Sequence, residues 1–168
     1  DFGFGFFDKY LVKKIEKKIK VYSLNVHINS LNASYNKFTK YKKFTYVALN
    51  KQELQAGLNT DSNKIDDLIN SARLKKIKVP FSVTLGVNGS VFIKDYNKVY
   101  MAPAFISKPV DTVGCGDAYF AITAALVESG VENELLPFIG NVYAGLHSMN
   151  FANKKIISLQ DIKQKIFS

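Results

Sequence analysis

Apolar positions along the chain switch between two spacings, and the switches mark out its elements. From Asp8 to Lys18 they recur at helical spacing, which predicts an amphipathic helix with Tyr10, Leu11, Ile15 and Ile19 inward. Val21–Val26 then reads as a strand. Asn25, Asn29, Asn32 and Asn36 follow at a spacing that would place four amides on one helical face. Asparagine favours turns over helix, so a polar loop with a short helix is the expectation there. Tyr46–Leu49 is a buried-looking strand, and a helix follows Asn50-Lys51-Gln52-Glu53. Residues 61–78 read as mostly helical, with Ile65, Leu68, Ile69, Ala72 and Leu74 on the buried face. Phe81–Leu85 is a strand, Gly86-Val87-Asn88-Gly89 turns the chain, and Ser90–Ile93 returns. Asn-Gly between strands is a hairpin signal. Asp95-Tyr96-Asn97 turns again into Lys98–Met101, and Pro103–Pro109 reads as a linker. Two helices follow, over Ala118–Val127 and Asn133–Met149. A last one is capped by Ser158, with Asp161 three residues on.

Strand, helix, strand, helix, strand, hairpin and two packed helices indicate an α/β fold: a three-layer αβα sandwich whose mostly parallel sheet is covered on both faces. In such sheets ligands bind outside the carboxyl ends of the strands. Leu49/Asn50, Leu85/Gly86 and the turn at Asp111 all fall at such ends.

The densest chemistry lies in Asp111-Thr112-Val113-Gly114-Cys115-Gly116-Asp117. A Gly-rich turn running into a helix leaves backbone N–H groups unpaired at the positive end of the helix dipole, and such a nest takes phosphate. Asp117 at its mouth is placed to accept a proton from a hydroxyl. The competing reading makes Asp117 a helix cap only. Asn50-x-x-Glu53 is likewise the pattern of a capping box. Gly140, Ala144, Gly145 and Ser148 are small residues that suit either a flat ligand or a close helix.

The seven residues resemble the Asp-Thr-x-Gly-Ala-Gly-Asp signature of the ribokinase-like (PfkB-type) carbohydrate kinases, with Cys115 where that family usually has alanine. The opening Asp1-Phe2-Gly3-Phe4-Gly5 and the asparagine-rich segment are similar to stretches of the heptose-phosphate kinase-like subgroup. The resemblance implies ATP-dependent phosphorylation of a sugar or sugar phosphate, with a possible place in nucleotide-sugar or surface-polysaccharide synthesis. It makes Asp117 the base and the backbone of Gly114, Cys115, Gly116 and Asp117 the anion hole. Thr84 and Gly86 would lie along the nucleotide, and Asn141 would touch its adenine. Asn50 and Glu53 would organise Mg²⁺, largely through water. Asp111 would help hold a monovalent cation, to which Val113 could offer only its backbone carbonyl. The resemblance spans residues 1–168 but corresponds to the C-terminal, nucleotide-binding half of such a kinase. The expected behaviour of this piece is ATP binding without sugar phosphorylation, with self-association into a homo-oligomer open. The alternative is a non-catalytic nucleotide-binding or regulatory module of a larger enzyme.

Composition narrows this further. A length of 168 residues with 47% hydrophobic positions suffices for one domain with a core. The formal charge of +9 suits nucleotides and sugar phosphates. It suits nucleic acid too, but no aromatic-interleaved binding motif accompanies it, so no nucleic-acid partner is expected. No apolar run reaches the roughly 18 residues of a membrane span. No basic-then-apolar leader opens the chain. No membrane partner and a cytoplasmic location are therefore expected. Cys115, the single cysteine, excludes an intrachain disulfide. At a helix N-terminus its thiol is expected to be acidified.

Overall fold

The computed structural model describes residues 1–106, 108–151, 154 and 156–167. Six α-helices and five strands occur among them: α1 (Lys9–Lys18), β1 (Ser23–Asn25), β2 (Tyr46–Asn50), α2 (Lys51–Leu58), α3 (Ile65–Leu74), β3 (Phe81–Thr84), β4 (Ser90–Asp95), β5 (Lys98–Ala102), α4 (Cys115–Glu128), α5 (Leu135–Ser148) and α6 (Leu159–Phe167). The strands form one sheet in the order β1-β2-β3-β4-β5. β1 and β2 run parallel, with Ser23 opposite Tyr46 and Asn25 opposite Ala48. The α/β class and the mixed, mostly parallel sheet are as expected. The chain divides into two compact units, Asp1–Val83 with Lys94–Lys98 and Thr84–Ile93 with Val99–Ser168.

In the first unit the core is built on β2, whose Tyr46, Val47, Ala48 and Leu49 are all buried, together with Leu24, Val26, Leu54, Leu58, Leu68 and Phe81. Phe38 packs so tightly on α2 at Gly57 that a β-carbon there would collide with its ring. The helix α1 begins as read, with Asp8 accepting from Leu11 N at 2.7 Å. Its inward face is different, however. Tyr10 is 72% exposed and Ile19 45%, while Val12 is buried. The face turned inward runs through Leu11, Val12, Ile15 and Glu16. Glu16 accepts from Tyr22 Oη at 2.8 Å and from the backbone N–H groups of Lys42 and Lys43. Helical spacing allows both faces, and these acceptor bonds select one. The α3 helix starts later than expected, at Ile65, and buries Leu68, Ile69 and Ala72. Leu74, in its last turn, is 81% exposed, since α3 ends there.

The asparagine segment forms successive turns rather than a short helix. Asn32 and Asn36 are buried. The Asn32 amide donates to Phe2 O and His27 O, and the Asn36 amide to Asp1 O and His27 O, all at 2.9–3.0 Å. The Asp1 carboxylate is enclosed with them, accepting from Lys40 Nζ at 2.6 Å and Tyr41 Oη at 2.7 Å. Burial pushes the Tyr41 hydroxyl up to about 12 and lowers the Lys40 ammonium.

In the second unit, α4 and α5 meet at Gly140, where a β-carbon would stand 2.5 Å from the Tyr119 ring and 2.8 Å from the Thr123 methyl. The turn before β4 forms at the expected place as a 3₁₀ turn closed by Leu85 N donating to Gly89 O at 2.8 Å. Its left-handed residues are Gly86 (φ 60°) and Gly89 (φ 85°); Asn88 is not among them. A reciprocal cap opens α6 as predicted: Ser158 N donates to Asp161 Oδ2 at 2.8 Å, and Asp161 N to Ser158 Oγ at 3.2 Å.

Candidate active site

In the second unit, the Gly-rich turn enters α4 through Gly114, which is the N-cap and takes a left-handed φ of 78°. A side chain there would strain the backbone, so glycine is required. Ahead of it, Val110 and Asp111 both donate their N–H to Ser148 O at 2.9 Å, which ties the turn to the end of α5. The first helical bond is Ala118 N to Gly114 O, at 2.9 Å. The N–H groups of Gly116 and Asp117 precede it and, by helix geometry, find no acceptor inside the helix.

Asp117 is the third residue of α4 and is exposed. No side chain caps this helix. Asp117 therefore is not the cap that its position allowed. Among the described residues its carboxylate makes no hydrogen bond or ion pair.

Beside this helix end lies a cavity of about 280 Å³ within the second unit. Five residues named from the sequence border it: Thr84, Gly86, Cys115, Gly116 and Asn141. Gly114, Asp111 and Asp117 are not on its wall. A β-carbon at Gly116 or Gly86 would meet no atom within 4 Å, so both glycines leave open space rather than serve a contact. Asn141 is buried and donates its amide to Ala102 O at 2.8 Å and Pro103 O at 3.0 Å. Its Oδ1 is then the amide atom left to a ligand. Ala144, Gly145 and Ser148 also line the cavity, whereas Gly140 is used in helix packing. Phe105 and Ile106, in a segment whose sequence points to a linker and to no ligand contact, line the cavity as well. Phe105 is held edge-on against Phe138, with ring centres 5.0 Å apart. Two bulky apolar residues between prolines were the available signal.

The Cys115 thiol is raised above its ordinary range, first by burial and then by the charge of Asp111. The acidification expected from the helix end is outweighed. Asp111 Oδ1 accepts from Val113 N at 2.9 Å, and the Val113 carbonyl meets His147 Nε2 at 3.2 Å. The carbonyl considered as a cation ligand thus already has a partner.

Asn50 and Glu53 belong to the first unit. They form a complete capping box: Glu53 N donates to Asn50 Oδ1 at 2.8 Å, and Asn50 N to Glu53 Oε2 at 2.7 Å. Glu53 is buried, and its Oε1 stands 3.8 Å from His27 Nδ1. Among the described residues, no group of three or more His, Cys, Asp or Glu side chains is gathered to hold a metal. One oriented carboxylate fits an ion that keeps most of its water and is bound through phosphates, which is the habit of Mg²⁺. No helix among the described residues is long and apolar enough to cross a membrane.

Residues 12–146 match the family model described as pfkB family carbohydrate kinase. The chain is 26% identical to the Bifunctional protein HldE of Campylobacter jejuni, an alignment that takes in the whole chain and 38% of that protein. In structure it resembles phosphofructokinase-2 of Escherichia coli in complex with potassium (TM-score 0.72, 18% identity, 95% of this chain and 51% of that one). It also resembles Arabidopsis thaliana ribokinase complexed with ribose and ATP (TM-score 0.70, 17% identity, 94% and 51%). The chain thus spans about half the length of these solved structures and less of the curated relative.

Proposed function

Because the chain belongs to the PfkB family of carbohydrate kinases, we propose that it carries the nucleotide-binding and catalytic part of an ATP-dependent kinase acting on a sugar or sugar phosphate. The acceptor hydroxyl, of the heptose-phosphate class to which the N-terminal motif and the asparagine segment are similar, gives its proton to Asp117. Of the N–H groups from Gly114 to Asp117, those of Gly116 and Asp117 face the charge that builds on the transferring phosphoryl group, an arrangement that needs no reorganisation as the reaction proceeds, whereas Cys115 N already donates to Thr112 O at 3.3 Å. The base and ribose occupy the cavity bordered by Thr84, Gly86 and Asn141. Asn50 and Glu53 orient the water around Mg²⁺, which when bound neutralises phosphate charge. Asp111 is the candidate carboxylate for a monovalent cation.

The observation that carries this reading is the Asp117 carboxylate, without a hydrogen bond or ion pair among the described residues, in the first turn of α4, whose neighbours Cys115 and Gly116 border the cavity. A cap would be bonded to the helix backbone, whereas a base must be free to meet substrate. The test is calorimetric titration of ATP with and without Mg²⁺, beside ADP release measured over a panel of sugars and sugar phosphates on the full-length protein. Mg²⁺-dependent binding with acceptor-dependent ADP release is expected. Binding without release for any acceptor would favour a non-catalytic nucleotide-binding module.

A further inference from the structure

The outward side of α1 carries charge that the mechanism above does not use. At helical spacing Lys9, Lys13 and Lys17 form one row along that side, and Tyr10, Lys14 and Lys18 the next. All five lysines are exposed, as is Tyr10. Between Lys9 and Lys43 the only acidic residue is Glu16. It faces inward, where its carboxylate accepts from Tyr22 Oη and from the backbone N–H groups of Lys42 and Lys43. Those backbone bonds hold two further exposed lysines beside the helix. Asp8, just before α1, is engaged in its cap. Among the described residues the α1 lysines make no ion pair. Lys9 with Lys13, Lys13 with Lys17 and Lys14 with Lys18 are like charges at a spacing that destabilises a helix. An anionic surface brought against this face relieves that repulsion.

Two features select the class of anion. The cations are all ammonium groups, since the single arginine of the chain, Arg73, lies on α3. Point charges spread over a convex helix face suit a diffuse anionic field better than bidentate capture of single phosphates. Exposed apolar side chains also flank the lysines in sequence: Phe4 (84% exposed) and Phe6 (77%) before the helix, Ile19 and Val21 after it. Lysines with aromatic and aliphatic groups at their margins suit the headgroup region of a bilayer. A reader of single-stranded nucleic acid sets several rings among its cations, and on this face only Tyr10 stands among them.

We propose that α1 docks the protein on an anionic lipid surface, with its two lysine rows over the headgroups. Peripheral contact of this kind needs no membrane-spanning helix, the feature on which the expectation of no membrane partner rests. Each lysine near such a surface contributes about fivefold in affinity.

The test is co-sedimentation of the full-length protein with vesicles of phosphatidylcholine alone, and with vesicles in which a third of it is replaced by phosphatidylglycerol. One variant combines Lys13→Gln, Lys14→Gln, Lys17→Gln and Lys18→Gln. Glutamine matches lysine in helix propensity, so its melting temperature should hold or rise as the repulsion is removed. A second variant combines Lys64→Gln, Lys78→Gln, Lys94→Gln and Lys163→Gln, which removes the same charge from exposed positions elsewhere. Wild type and the second variant are expected to bind the phosphatidylglycerol vesicles only, and to be released by high salt. The α1 variant should bind at least about a hundredfold more weakly. Equal weakening in both variants would overturn the proposal, since net charge rather than this face would then be responsible. Retained binding in the α1 variant, or equal binding to phosphatidylcholine alone, would overturn it too. So would a wild type that ignores both vesicles; if it instead held single-stranded RNA and lost it in the α1 variant, the face would belong to nucleic acid.

Discussion

The capping box at the start of α2 serves the helix and, in the proposed mechanism, the metal; paired substitutions separate these roles. Asn50→Ala deletes the acceptor for Glu53 N, now bonded at 2.8 Å. Loss of such a cap costs about 0.5–2 kcal/mol. In a chain of this size about 2–4 °C accompanies each kcal/mol, so the melting temperature should fall by roughly 1–8 °C. Glu53→Gln behaves differently. Glutamine serves as well as glutamate at this position of a capping box, because its carbonyl oxygen can still accept from Asn50 N. The substitution keeps the helix start and removes the charge. Thermal melts of Glu53→Gln should therefore lie within about 2 °C of the wild type, a fraction of the capping loss. The Mg²⁺ needed for half-maximal turnover should nevertheless rise about tenfold. Melts of this chain, run beside a Mg²⁺ titration of ADP release by the full-length protein, measure both. An unchanged Mg²⁺ requirement in Glu53→Gln would reduce the motif to a helix cap and refute the assignment.

Asn141→Ala strands the Ala102 and Pro103 carbonyls that its amide now satisfies; a loss of about 1–3 kcal/mol on chemical denaturation and weaker ATP binding are expected. Gly140→Ala gains about 1 kcal/mol of helix propensity but forces a methyl group against Tyr119 and Thr123. Overpacking of about 1–3 kcal/mol should prevail, lowering the melting temperature. Because burial and Asp111 raise the Cys115 thiol, its reactive thiolate is scarcer than that of a free cysteine at neutral pH. Alkylation by iodoacetamide should be slower than for glutathione at pH 7.5, accelerate above the ordinary thiol range and be blocked by ATP.

What could be read from the sequence was what adjacent residues decide. Both capping boxes, Asn50 with Glu53 and Ser158 with Asp161, were visible because three residues and a helix start define them. The strand at Tyr46–Asn50 and the glycines of the α4 turn were visible for similar local reasons. Choices made by distant partners were not. Spacing offered Tyr10 and Ile19 as core residues of α1, but Tyr22, Lys42 and Lys43 draw Glu16 inward and turn that face out. Asn32 and Asn36 read as turn formers, since nothing local reveals bonds to Asp1 and Phe2 some thirty residues away. At Cys115 the helix end predicted a lowered pKa; burial and the Asp111 charge depend on folding and reverse the direction. Thr84, Gly86, Cys115, Gly116 and Asn141 border one cavity, while Phe105 and Ile106 enter it from a segment with no periodicity to read.

The central claim is that Asp117 is the general base of a phosphoryl transfer. Asparagine keeps its shape and removes its basicity, and since Asp117 caps nothing, the helix should lose only the dipole interaction, about 0.3–1 kcal/mol. A positioned base contributes roughly 10²–10⁴-fold, about 2.7–5.4 kcal/mol of barrier. The direct measurement is single-turnover phosphoryl transfer by Asp117→Asn in the full-length protein, with ATP affinity determined on the same sample. The account predicts transfer slowed by at least about a hundredfold at nearly unchanged ATP affinity. Transfer within a few-fold of the wild-type rate would contradict it.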